Sequence, residues 1–165
     1  MQSDNQNSIV QALISIAQAI MNKQPMKMRL KYNLSGTPAI SNATFTVVAF
    51  DTKEWDNTPS WYNPATGRFT PKQAGIYHVD AACGFMSVGD TATLHFVVRK
   101  NGTANQSWTR ERQSGTGESQ VSLSTDIYMD GNTDYFDILA YTSGGATMLT
   151  QGPQNTWMDI HYVSD

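Results

Sequence analysis

The sequence predicts an antiparallel β-sandwich or barrel preceded by one short helix. Three observations carry this expectation. The helical spacing of apolar residues stops near Pro25. Beyond it, short β-like runs alternate with clusters of turn-forming residues, and no helix of useful length fits between them, which excludes strands joined by crossover helices. Charged residues make up only 15% of the 165, against roughly 25% in soluble domains. Asn, Gln, Ser, Thr and Gly fill the difference, a mix suited to a chain of strands and turns. The length is that of a single domain with a substantial core.

The first element is a helix over residues 8–24. Ser8 and Gln11 have capping-box spacing, in which each side chain satisfies the other residue's free N–H, and Pro25 supplies the stop. Ile9, Leu13, Ile16 and Ile20 form a heptad seam with Ile9 and Ile16 at d. Isoleucine at d disfavours two-stranded coils and points to three or four strands. Two heptads associate weakly on their own, so the seam follows an oligomer specified elsewhere or docks on another protein. An amphipathic helix lying on its own domain is the alternative. The division expected is a helical trimerisation or attachment segment, 1–24, and a globular domain, 25–165.

The strands follow at 27–33, 43–50, 75–86, 92–100, 119–129, 134–142, 145–150 and 156–163. "LSGTP", "DNTPS", "NPATG", "KNGTAN", "SGTGES", "DGNTD", "TSGG" and "QGPQN" break them. Alternation assigns the faces. In 75–86, Tyr77, Val79, Ala81, Cys83 and Phe85 oppose Ile76, His78, Asp80, Ala82 and Met86. In 134–142, Phe136, Ile138 and Ala140 oppose Tyr135, Asp137, Leu139 and Tyr141. In 156–163, Met158, Ile160 and Tyr162 oppose Trp157, Asp159, His161 and Val163. Each run has one apolar face and one that mixes large apolar groups with acids or histidine. A sheet buried against another subunit presents such a second face.

The run "WYNPATGRFTPKQAGIYHVDA", 61–81, packs aromatics, a turn signal, a lone Phe and a Gly-x-Tyr step together. "NPATG" is a turn that returns the chain so that Phe69 plugs the end of the sandwich. Gly75 permits a tight approach into the long strand, and Tyr77 opens its core face. Phe50, Asp56 or Asn57, Trp61 or Tyr62, Phe69, Gly75 and Tyr77 resemble the signature of the complement C-one-q globular head, a branch of the tumour-necrosis-factor-like jelly rolls. One extra residue lies between Phe50 and Phe69, and Val79 and Ala81 stand where that family prefers aromatics. The resemblance continues through "VVRKNG", 97–102, and "TWMDIHYVSD" at the C-terminus. It implies a jelly-roll homotrimer around a shared axis. In similar proteins the first, third, sixth and last strands form the inner sheet, whose second face meets neighbouring subunits. Counted along this chain, these include 75–86, 134–142 and 156–163. The trimer contacts expected are therefore His78, Asp80, Leu139, Tyr141, Trp157, Asp159 and His161, joined by Ile9, Leu13, Ile16 and Ile20 of the helix.

Reactive chemistry is sparse. Cys83, the single cysteine, permits no internal disulfide, and His78 has the opposite parity within its strand. No Cys or His cluster has zinc spacing, and "SGTGES" lacks the lysine of a phosphate loop. No carboxylate pair stands out for glycoside hydrolysis. The acids of "DTKEWDN" and "DGNTDYFD" serve turns rather than the full calcium-loop pattern. No enzyme activity and no cofactor are expected. The net charge of −3 argues against nucleic acid. The basic cluster Lys23, Lys27, Arg29 and Lys31 reads as a solvated segment or a phosphate patch. The N-terminus lacks a basic n-region, Gln11 and Gln18 interrupt its apolar stretch, and it is too short and polar to insert in a membrane. Synthesis in a reducing cytoplasm is expected, with the sequons at Asn33, Asn42, Asn101 and Asn105 unused.

Two constellations remain. If the third and last strands are neighbours, His78, Asp80, Asp159 and His161 share one face, as a hydrogen-bonded polar girdle or as a three-fold-repeated ion- or pH-responsive site. Trp108, in a loop beside Arg110 and Arg112, packs structurally or contacts a glycan or protein receptor. Together these features lead to a non-enzymatic homotrimeric bacteriophage virion protein, a head fibre, decoration or tail knob. Its N-terminal segment would attach to a capsid or tail protein, and its knob would face the host surface. A bacterial ligand-like or adhesive module is the alternative.

Overall fold

The computed structural model describes residues 2–21, 27–31, 39–58, 60–144, 146–148 and 155–165. A helix, α1 (Gln2–Met21), precedes thirteen strands. These are β1 (Lys27–Lys31), β2 (Ala39–Ile40), β3 (Thr46–Val47), β4 (Thr52–Asp56), β5 (Tyr62–Asn63), β6 (Arg68–Phe69), β7 (Ala74–Val88), β8 (Thr93–Lys100), β9 (Ala104–Arg112), β10 (Gly117–Asp130), β11 (Phe136–Thr142), β12 (Ala146–Met148) and β13 (Trp157–Ser164). They form two antiparallel sheets with a common core, an all-β jelly-roll sandwich.

The first sheet is built on β7. β10 lies along one side of it, β13 and β12 succeed one another along the other, and β1 and β4 extend the sheet beyond β13. The second sheet runs β5–β6–β11–β8–β9, with β3 also on β11. The inward parity of β7 is as the alternation required: Tyr77, Val79, Ala81, Cys83 and Phe85 are fully buried. Facing them are Phe69, Leu94, Phe96, Val98, Phe136, Ile138 and Ala140 of the second sheet. Burial pushes the Cys83 thiol up to about 12, which keeps it protonated and unreactive.

The 61–81 run explains its own spacing. Asn63 caps the turn: its side-chain oxygen accepts from Ala65 N–H at 2.9 Å, and its carbonyl accepts from Gly67 N–H at 2.9 Å. The chain returns with Phe69 fully buried among Trp61, Tyr77 and Phe136. Gly75 has φ +141°, and a Cβ there would lie 2.5 Å from the Ser164 carbonyl oxygen and from the Tyr162 ring. Only glycine lets β7 start this close to β13.

The helix begins six residues before the expected Ser8. No Gly or Pro lies between Gln2 and Ser8 to stop it. The expected end at residue 24 and Lys23 lie outside the described residues, as does the side chain of Ile20. Ile9, Val10, Leu13, Ile14 and Ile16 are all exposed, so this stretch of helix does not lie on its own domain. The run expected at 43–50 keeps strand geometry only at Thr46–Val47. β2, β4, β5, β6 and β9 arise where no strand was expected.

Candidate functional site

The outer faces of the two sheets carry the chemistry. On the first sheet, register sets His78 opposite His161 on one side and Asp126 on the other; Asp80 opposes Asp159 and Ser124. Arg29 of β1 opposes Asp159 and, across β4, Trp55. The expected quartet of His78, Asp80, Asp159 and His161 therefore does share one face.

His78 is its centre. Nδ1 lies 2.6 Å from Asp126 Oδ1, Nε2 lies 3.2 Å from both Asp80 Oδ2 and Ser124 Oγ, and the His161 ring packs 5.0 Å away. The hydrogen bond to Asp126, with smaller help from Asp80, raises the imidazole above its ordinary value against the opposing effect of burial. Asp159 is raised too, first by burial and further by the nearby carboxylates of Asp80 and Glu54, although Arg29 pulls the other way. Arg29 NH1 reaches Asp159 Oδ2 at 3.4 Å, while its guanidinium sits 5.3 Å from the Trp157 ring centre. Arg29 Nε lies 3.0 Å from Glu54 Oε2, close enough for an ion pair but not aligned as a hydrogen bond. That Nε and Asp159 Oδ1 are buried without a hydrogen-bond partner among the described residues. Around these charges stand Trp157, Ile76 and the exposed Trp55, Tyr128 and Val163. Among the described residues no group of three or more His, Cys, Asp or Glu has the arrangement of a metal site.

Leu139 and Tyr141 do not belong to this face. They lie on β11, in the second sheet. The unexpected strand β9 shifts the count by one, so that the sixth long strand is β10 and not 134–142. Leu139, 4% exposed, is covered by its own chain between Val47 and Val97. Tyr141 packs on Phe45 and His95.

Trp108, Arg110 and Arg112 are likewise not in a loop. They share one parity of β9, the edge strand beside β8. Trp108 is 58% exposed and stacks on His95 at 5.5 Å with 20° between the planes. His95 meets Tyr141 edge-on at 4.9 Å, and Phe45 closes the row 4.9 Å from Tyr141. The sequence reading missed His95 and Phe45; pairing across three strands brings them in. At the other end of this face Asp137 is buried and receives Arg99 twice, Nε at 2.9 Å and NH2 at 2.6 Å.

The turn acids serve the backbone. Asp130 accepts from the N–H groups of Asn132, Thr133 and Asp134 and from the Thr133 hydroxyl, which holds its carboxyl well below the usual range. Asp56 accepts from Thr58 N–H and Oγ1 and from Lys53 Nζ. No helix among the described residues is long and apolar enough to cross a membrane.

The order of strands, with the Gly-x-Tyr start of β7 and the two-sheet core, defines a tumour-necrosis-factor-like jelly roll. Solved structures share it. Eiger, the tumour necrosis factor of S. frugiperda, superposes with TM-score 0.65 at 13% identity, over 86% of this chain and 95% of that one. Murine APRIL gives 0.61 at 11% identity, over 85% and 100%. The globular domain of zebrafish complement 1qA gives 0.61 at 14% identity, over 84% and 96%. No protein-family model matches the sequence, and no curated protein sequence does.

Proposed function

We propose that this chain is a non-enzymatic homotrimeric display protein of a bacteriophage virion. Three jelly rolls, residues 25–165, pack around a shared axis through the outer face of the first sheet, and residues 1–24 supply a helical segment that joins the trimer to a capsid or tail protein. The observation that carries the trimer is the composition of that face. Trp157, Tyr128 and Val163 stand among charges, and Asp159 Oδ1 is buried without a hydrogen-bond partner among the described residues. A buried polar atom left unpaired costs roughly 1–3 kcal/mol, and a neighbouring subunit can complete it. The exposed apolar stripe of Ile9, Leu13 and Ile16 fits the attachment role, and the fold agrees with a binding module.

Light scattering on the full chain at micromolar concentration tests the trimer. The expected mass is three times the 18.2 kDa protomer, and a single-protomer mass overturns it. Immunogold labelling of purified phage particles tests location: label on the head or tail surface is expected. A protein found only on bacterial cells would replace the virion reading with an adhesive module.

A further inference from the structure

The first sheet's outer face is assigned above to self-association. That assignment leaves the outer face of the second sheet open to a ligand. Its exposed rings are few and flat. Trp108 has one indole face against His95 and the other in water. The row ends at Phe45, also exposed. The aliphatic neighbours Val97 and Leu139 are buried beneath, so the surface offers ring faces among polar groups rather than the broad apolar core of a protein interface. Ring faces carry negative quadrupole density and suit the C–H face of a pyranose.

Beside the rings stand two cations. Arg110 opposes His95, and Arg112 lies two residues further along the same parity. Both are exposed, and neither forms an ion pair among the described residues. Glu111 between them has the opposite parity and accepts from Ser119 Oγ. Burial, and secondarily Arg110, hold the His95 imidazole below its ordinary value, so it stays neutral at pH 7 and adds no charge. Two unpaired guanidinium groups in a chain of net charge −3 call for an anionic group, and a guanidinium grips a carboxylate through two parallel hydrogen bonds.

We propose that the row Trp108–His95–Tyr141–Phe45, with Arg110 and Arg112 at its rim, is a binding site for acidic saccharides: a hexuronate ring stacks on Trp108 while its carboxylate pairs with the arginines. The inference deepens the display reading and rests on it for biological context only, because the site lies within one protomer.

The test is titration calorimetry of the full chain with oligogalacturonate, beside a neutral cello-oligosaccharide of equal length. Expected is a Kd of about 1 mM or tighter for the uronate, weakening as salt rises. Trp108→Ala weakens it at least about tenfold. Arg110→Gln with Arg112→Gln abolishes the preference for uronate over the neutral sugar. Near-UV circular dichroism confirms that the variants fold, and Phe45→Ala provides a second ring deletion outside the edge strand. No uronate binding at millimolar concentration overturns the site, as does equal binding of the neutral sugar or an unchanged Kd in Trp108→Ala. Light scattering on the same samples separates the two readings. Binding by a single-protomer species sinks the trimer and keeps the site, whereas a trimer that binds no uronate does the reverse.

Discussion

Replacing Asp137 by alanine should destabilise the protein far more than replacing the whole ion pair does. Asp137 is 1% exposed and takes two hydrogen bonds from Arg99, whose side chain is about a quarter exposed at 26%. Removing one member of a buried pair typically costs about 3–5 kcal/mol, because the other charge is left uncompensated. Arg99 retains some access to water, which screens the orphaned charge and brings the cost below that range, to about 2–3 kcal/mol. For a chain of this size each kcal/mol lowers the melting temperature by roughly 2–4 °C, so Asp137→Ala should melt about 4–12 °C below wild type. The double variant Asp137→Leu with Arg99→Met buries apolar groups instead and should fall within about 1 kcal/mol of wild type. The assay is thermal unfolding followed by circular dichroism at one fixed protomer concentration, because association would otherwise move the midpoint. A double variant as unstable as Asp137→Ala would refute the reasoning: the loss would then come from packing, and not from an orphaned guanidinium.

Further outcomes can be checked with the same protein. Gly75→Ala forces a Cβ to within 2.5 Å of the Ser164 carbonyl at a positive φ; strain of roughly 1–3 kcal/mol should lower the melting temperature by about 2–12 °C. Gly89→Ala, with open space around it, should leave the melting temperature nearly unchanged. His78 is raised above its ordinary value, chiefly by Asp126, so its contribution to stability is complete below the unfolded value of about 6.5 and is lost as the pH rises through the folded value. Chemical denaturation from pH 5 to pH 8 should therefore show wild type and His78→Gln converging as the pH rises. A gap that stays constant would remove His78 as its source. Ile9→Lys with Ile16→Lys should leave the proposed three-copy mass unchanged, since two heptads are too short to specify an oligomer; dissociation to single protomers on this change alone would move the assembly determinant into the helix.

Alternation along long strands was the most legible feature of the sequence. β7 shows why: its inward residues Tyr77, Val79, Ala81, Cys83 and Phe85 are all apolar, and the period of two fixes their face without knowledge of any partner. The quartet on the outer face was legible for the same reason, once β7 and β13 were taken as neighbours. β9 was not legible. Its residues 104–112 are exposed or half-buried on both parities, so an edge strand with Trp108 as its only large apolar residue lacks the apolar rhythm that marks a strand. That omission propagated. Parity gives a residue's face within its sheet but not the sheet itself, and miscounting by one strand moved Leu139 and Tyr141 to the wrong layer. The Arg99–Asp137 pair stayed hidden because Asp137, in an outward register, reads as a solvent-facing acid. It is the pairing of β11 with β8 that brings Arg99 over it.

The two outer faces differ in how complete they are within one chain. On the second sheet Asp137 has its Arg99, Arg68 lies 4.2 Å from the Tyr135 ring centre, Leu139 is covered, and the aromatic row is braced by its own edges. What remains outward there is a pair of solvated cations and a few ring faces, groups that cost nothing while they wait for a ligand. On the first sheet the account does not close. Asp80 and Asp159 face each other across adjacent strands, Arg29 is shared between Glu54 and Asp159, and Asp159 Oδ1 is buried without a donor among the described residues. Like charges set directly opposite in a sheet destabilise it, so this arrangement weakens an isolated protomer. A donor from a second copy turns the same atoms into a specificity element, because a partner without that donor would leave the carboxylate unpaired. The face that is unsatisfied alone is therefore the one suited to self-association, and the satisfied face is the one suited to meet a foreign molecule.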